Sequence, residues 1–178
     1  MSAKVGVSVL LIVVACSTSE VAARIEFTNL VCTSLDKAFS DFEYCYLRSV
    51  NRTYKYFSIK SVFYQSPITK VKVNLSLHKR FNGYRPFLYN VTVDACRFLR
   101  NPRSNPILNF FYGFITPYIG KVSCPFKNSL SYDKIAAEWI NKQVTAVLPF
   151  PEGDYMIEVN WMAYDINRAI TKFYATLS

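Results

Sequence analysis

Val71-Lys72-Val73-Asn74-Leu75-Ser76-Leu77-His78 and Phe87-Leu88-Tyr89-Asn90-Val91-Thr92-Val93-Asp94 decide the fold of this chain. In the first stretch Val71, Val73, Leu75 and Leu77 point one way, and Lys72, Asn74, Ser76 and His78 the other. This is the period-two pattern of a half-buried strand. Phe87, Tyr89, Val91 and Val93 alternate against Asn90, Thr92 and Asp94 in the same manner. Between the two lies Phe81-Asn82-Gly83-Tyr84, where Asn-Gly is a turn signal inside a longer loop. The two strands are therefore expected to pair antiparallel with one apolar face. Asn74-Leu75-Ser76 and Asn90-Val91-Thr92 are N-x-[ST] sequons, as is Asn51-Arg52-Thr53. The strand phase puts Asn74 and Asn90 on the polar face, where a glycan would sit. Asn51, Asn74 and Asn90 are the expected glycosylation sites.

Working outward, strands are expected at Ile25–Cys32, Glu43–Ser49, Thr53–Tyr64, Val144–Leu148, Asp154–Asp165 and Arg168–Leu177, the last two meeting around Asn167. One segment breaks the period. Asn105-Pro106 reads as an N-cap followed by proline at the first helical position, and the Phe-rich run Ile107–Ile119 then predicts a short helix. A helical turn is predicted at Asp133–Ile140, where Ile135, Ala136, Trp139 and Ile140 fall at helical spacing. The sum is an all-β, immunoglobulin-like two-sheet sandwich with a short helical insertion.

The N-terminus reads as a processing signal. Lys4 precedes an apolar run of twelve, Val5 to Cys16, and small residues follow up to Ala23. The run is too short to span a bilayer, so residues 1–23 are read as a signal peptide and 24–178 as one secreted domain that does not span the membrane. Cys16 leaves with the signal. Cys32, Cys45, Cys96 and Cys124 remain, an even number that reads as two disulfides. Three pairings exist; Cys32–Cys45 and Cys96–Cys124 are favoured because each closes a local loop. The 178-residue chain has a net charge of +9, and its 29 aromatic residues exclude wholesale disorder. It has one histidine and no CxxC pair, so neither a metal site nor a cofactor is expected.

Four stretches carry a resemblance. They are Gly83-Tyr84-Arg85-Pro86-Phe87-Leu88-Tyr89-Asn90, Asp94-Ala95-Cys96, Ser123-Cys124-Pro125 and Leu148-Pro149-Phe150-Pro151-Glu152-Gly153-Asp154-Tyr155. Together they resemble the insect secreted domain-of-unknown-function family 1091, over nearly the whole span from Ile25 to Leu177. The Cys-Pro step and the Pro-x-Gly-x-Tyr approach to a late strand are distantly similar to the lipid-recognition (ML) domains. Those are secreted sandwiches that hold a lipid between two sheets. The chain departs from them in two ways: Cys96 precedes the Cys-Pro step by 28 residues, and no cysteine lies near Leu177. The resemblance implies an ML-like domain, and some insect relatives are implicated in contact chemosensation.

Three functions follow as expectations. The first is a carrier for a hydrophobic small molecule or lipid, with Phe57, Ile59, Val73, Leu75, Phe87, Tyr89, Val91, Ile157, Val159 and Trp161 as pocket wall. Phe110, Phe111 and Phe114 would close its mouth, and some of that Phe-rich segment is expected to stay exposed. The second is an interaction module without a ligand. Arg97, Arg100 and Arg103, with Lys79, Arg80 and Arg85, would form one basic surface for a cell-surface receptor or an anionic surface. The secretory signal argues against nucleic acid. The third is an enzyme, and it is disfavoured: no GxSxG, HExxH or Gly-rich phosphate loop is present, and His78 falls on an outward strand phase. No catalytic residue is expected.

Overall fold

The computed structural model describes residues 24–52, 54–120, 122–145 and 150–178. The leader expected at 1–23, Thr53 of the first sequon and most of the strand expected at Val144–Leu148 lie outside the described residues.

Two antiparallel sheets face each other. The larger contains β1 (Ile25–Ser34), β4 (Val71–Phe81), β5 (Gly83–Asp94), β7 (Gly153–Ala163) and β8 (Ile166–Leu177), in the order β1-β8-β7-β4-β5. The smaller contains β2 (Ser40–Ser49), β3 (Lys55–Phe63) and β6 (Ser129–Ala136), in that order. Among the described residues, three short α-helices are inserted: α1 (Ala95–Arg100), α2 (Pro106–Ile115) and α3 (Ala137–Thr145). The all-β two-sheet sandwich with a helical insertion is therefore the fold.

The decisive hairpin pairs as its alternation requires, with Val73 opposite Val93 and Leu75 opposite Val91. Pairing continues to Phe81 opposite Gly83, so the connection is tighter than the expected loop, and Gly83 supplies the left-handed backbone (φ 91°). The polar face is knit together. Asn74 Nδ2 donates to Asn90 Oδ1 (2.7 Å) and Thr92 Oγ1 (2.9 Å), and Lys172 pairs with Glu158 at 3.0 Å. His78 lies on this face beside Ser76 Oγ, 3.0 Å from its Nε2. The two sequon asparagines of the sheet are thus outward, with the Asn74 amide already engaged.

Some expectations shift. The β7–β8 turn falls at Tyr164-Asp165, not around Asn167, which is paired with Met162 inside β8. Both turn residues have positive φ (53° and 65°), the two-residue hairpin geometry that matches strand twist. Asp165 is ion-paired with Lys70 and Lys72, and hydrogen bonds from these two lysines hold its carboxyl down to about 2. The region expected as a helical turn at Asp133–Ile140 divides instead: residues up to Ala136 finish β6, and helix begins at Ala137. Val144, expected to open a strand, lies in α3.

The helical insertion follows its caps. Asp94 accepts from Arg97 N (2.7 Å) to open α1, and Asn105 accepts from Leu108 N (3.0 Å) to open α2, with Pro106 at the first position. Replacing Asn105 by alanine is expected to lower the unfolding free energy by about 1 kcal/mol in urea titration. A change within ~0.3 kcal/mol would show that water replaces the cap without cost.

The two disulfides join Cys32 to Cys45 and Cys96 to Cys124, the favoured pairing. The first ties β1 of the large sheet to β2 of the small one. The second ties α1 to the chain just before β6, spanning the helical insertion.

Candidate functional site

The facing sides of the sheets do not close completely. A cavity of about 300 Å³ lies between them, walled by side chains from both sheets, all three helices and the connecting loops. Its wall is almost wholly hydrocarbon. Apart from tyrosines, the polar wall residues are Ser40, Ser61, Thr171 and Arg168. Protein interiors are usually packed at crystal-like density, with few voids larger than a water molecule. A space of this size is also roughly twice the ~150 Å³ of an engineered apolar cavity that stays dry and binds benzene.

Strand alternation builds the wall. From β4, Val73, Leu75 and Leu77 face inward; from β7, Ile157, Val159 and Trp161; from β8, Thr171 and Phe173; from β3, Phe57 and Ile59. Trp161 Nε1 donates to Thr171 Oγ1 at 3.1 Å, so the indole and the buried hydroxyl satisfy one another within the wall. From α2 come Phe110, Phe111 and Phe114, whose rings meet edge to face with centroids 4.8–5.7 Å apart. Trp139 of α3 donates from Nε1 to the Phe114 carbonyl (3.1 Å), which fastens the two helices over the same space. Burial pushes the phenol of the lining residue Tyr132 up, so that part of the wall stays uncharged at any physiological pH.

Of the residues expected from sequence, Phe57, Ile59, Val73, Leu75, Phe110, Phe111, Phe114, Ile157, Val159 and Trp161 line the cavity. Phe87, Tyr89 and Val91 do not. They lie on β5, the edge of the large sheet. Val91 is covered by Phe98 of α1 and Leu108 of α2, while Phe87 and Tyr89 pack around Leu77, Tyr155 and Leu177. The Phe-rich segment is also different from expectation: Phe110, Phe111, Tyr112, Phe114 and Ile115 are all buried or half-buried, leaving no exposed aromatic patch on α2. Alternation could not announce Phe39, Ile68 and Phe126, which reach the cavity from outside the main strands.

The six basic residues expected on one surface are split. Lys79 and Arg85 are paired near the Phe81–Gly83 turn, whereas Arg97 and Arg100 follow Asp94, which is paired with Lys72 at the other end of the strands. Roughly 24 Å of β4 separates the two groups. Arg80 is ion-paired with Asp154 (3.3 Å), and the Lys79 ammonium lies 5.4 Å from the Tyr155 ring centre. A second hollow, about 530 Å³ but lined by only eight residues, adjoins the cavity at Leu99 and Val122 around the Cys96–Cys124 bridge. It is the more polar and more open of the two, with Thr69, Arg100 and Ser123 in its wall. The apolar cavity between the sheets is the better candidate site despite its smaller volume.

Fold and site together define a small two-sheet sandwich with an apolar cavity between its sheets. The model of the family described as "Protein of unknown function (DUF1091)" matches residues 73–157, a little under half of the chain. All four stretches that carried the resemblance fall inside that span. Comparison with curated proteins gives no match. Among solved structures, one similar chain is the crystal structure of a Niemann-Pick type C2 protein from Japanese carpenter ant. It is 13% identical, covers 86% of this chain and 92% of its own, and gives a TM-score of 0.36. No helix among the described residues is long and apolar enough to cross a membrane.

Proposed function

We propose that the protein is a carrier that holds one hydrophobic small molecule or lipid between its sheets, and that it is not a catalyst. The apolar cavity carries this reading. Transfer of ligand hydrocarbon into the space returns ~25 cal/mol per Å² of surface removed from water. A cavity of this size is at the lower end of the ~300–1,000 Å³ range of ligand sites, so the cargo is small.

The two disulfides support an oxidising compartment and hence export, with Asn51, Asn74 and Asn90 as glycan acceptors. Contact chemosensation, in which some insect relatives of the resembled family are implicated, is a use such a carrier would serve. The basic residues divide between the two ends of β4 and β5, so Lys79, Arg80 and Arg85 stand apart from Arg97 and Arg100, and the interaction-module reading is left with the exposed cluster Arg97, Arg100 and Arg103.

The test is organic extraction of protein secreted from eukaryotic cells, followed by mass spectrometry, with titration of the emptied protein by the apolar fluorophore N-phenyl-1-naphthylamine. The expected result is an extractable apolar molecule and saturable one-to-one probe binding. A clean extract together with absent probe binding would overturn the carrier reading.

A further inference from the structure

The apolar cavity and the polar hollow beside it share two wall residues, Leu99 of α1 and Val122, both only half-buried. The chemistry of the wall changes across this pair. On the cavity side lie Ala95, Phe98 and Phe126; on the other lie Thr69, Arg100 and Ser123, all three exposed to solvent. The frame of the hollow is fixed. The Cys96–Cys124 bridge is part of its wall, and Ile68 and Phe126 exchange backbone hydrogen bonds of 2.9 and 3.0 Å beside Thr69 and Pro125. Arg100 Nε donates to the Cys96 carbonyl at 3.3 Å, which lays the side chain back along α1 towards the bridge. That bond leaves the Nη donors of the guanidinium for another acceptor. The ion pairs among the described residues engage Arg80, Arg168 and lysines, and none engages Arg97, Arg100 or Arg103.

Resting on the carrier reading, we infer that the hollow is the head-group subsite of the same ligand. The cargo is a single-chain amphipath whose anionic head lies in the hollow on Arg100, while its tail passes between Leu99 and Val122 into the cavity. The guanidinium is always charged, no carboxylate of the described chain neutralises it, and its Nη groups suit two oxygens of one anionic head. The hollow is open to water, so the head escapes the desolvation cost that a charge between the sheets would meet. Arg97 and Arg103, exposed on either side of Arg100 in sequence, add potential of the same sign. The almost wholly hydrocarbon wall beyond Leu99 and Val122 suits the tail alone.

The test is displacement of N-phenyl-1-naphthylamine by a straight-chain carboxylate and a primary alcohol of equal length, each at low and at high ionic strength. At low ionic strength the carboxylate is expected to bind about fivefold tighter than the alcohol, the upper range for an exposed ion pair, and salt should shrink the difference. Arg100→Gln should abolish the preference and leave the alcohol binding as before. Arg103→Gln, outside the wall of the hollow, should retain most of it. Displacement reports the tail in the cavity and the Arg100 dependence reports the head in the hollow, so a ligand showing both spans the two. Equal binding of carboxylate and alcohol by the native protein would overturn the subsite and leave the carrier intact. A preference that survives Arg100→Gln, or falls equally in Arg103→Gln, would overturn it by making the effect general to the basic surface. Loss of the preference on adding acetate at the same concentration would make the hollow a site for free anions and overturn the amphipath. Failure of both compounds, and of the probe itself, would count against the carrier. Should Arg100→Gln fail to fold, the native protein at two ionic strengths still decides.

Discussion

Replacing Val159 by tryptophan is expected to weaken binding of N-phenyl-1-naphthylamine at least tenfold while leaving the unfolding free energy within ~0.5 kcal/mol of the native value. Val159 sits in the middle of β7, between Leu75 and Thr171 on the neighbouring strands, and its side chain is part of the cavity wall. It is only 8% exposed, so in a filled core the added ring would have nowhere to go. Overpacking of that kind costs ~1–3 kcal/mol through strained rotamers and displaced backbone. In this interior the ring enters space that is otherwise occupied by cargo, and the strand tolerates an aromatic residue. The molecule supplies its own control. Ile135 of β6 is fully buried but is not in the cavity wall. Ile135→Phe should therefore show the full overpacking penalty with the probe site intact in whatever fraction stays folded. Chemical denaturation and probe titration on both variants separate the cases. A loss above ~1 kcal/mol for Val159→Trp with probe binding unchanged would show that the space between the sheets is filled.

The strands of the central hairpin were legible because each has one wet and one dry face, and period two records that directly. The same logic failed where a bulge interrupts it. In β6, Leu130 and Tyr132 line the cavity, then Asp133 and Lys134 together face Ser58, and the next inward residue is Ile135. The inward spacing becomes three instead of two, which matches a helix. Lys134, with φ 52°, is the bulged residue, and its amide is satisfied by the buried Ser58 hydroxyl at 2.9 Å. Helix α1 was missed for a different reason: six residues are too few for a periodic signal, and the Asp94 cap was read as a strand end. The cap of α2 was legible because Asn-Pro states both its hydrogen bond and its fixed φ locally. The wall residues taken wrongly from β5 show where pattern stops. Alternation says that Phe87, Tyr89 and Val91 face inward, but not that β5 is an edge strand whose inner face is capped by helices and neighbouring aromatics.

Removal of the Cys96–Cys124 bridge, by Cys96→Ser with Cys124→Ser, is expected to lower stability by about 3.6 kcal/mol. The chain-entropy relation gives this for a loop of 28 residues. It gives about 2.9 kcal/mol for the 13-residue separation of Cys32 and Cys45. The two values are close, yet the two bridges should behave differently. The Cys32–Cys45 bond joins strands of opposite sheets, β1 and β2, which both carry ladder hydrogen bonds along their length. Its loss should raise amide exchange evenly across the sandwich, because global unfolding becomes easier everywhere at once. The Cys96–Cys124 loop contains α1 and α2, short helices with no ladder to hold them. They are retained by Phe98, Leu108 and Phe114, whose burial depends on the helices staying down on the sheets. Cutting this bridge should therefore open the insertion locally before the sheets unfold. Amides of residues 95–118 should exchange faster than those of β4 and β7, and the apolar probe should dissociate faster, since Phe110, Phe111 and Phe114 form its cover. Exchange measured by mass spectrometry on both double variants decides the matter. Uniform acceleration in the Cys96 and Cys124 variant, with probe dissociation no faster than in the Cys32 and Cys45 variant, would show that the helices are an integral part of the core and not a cover.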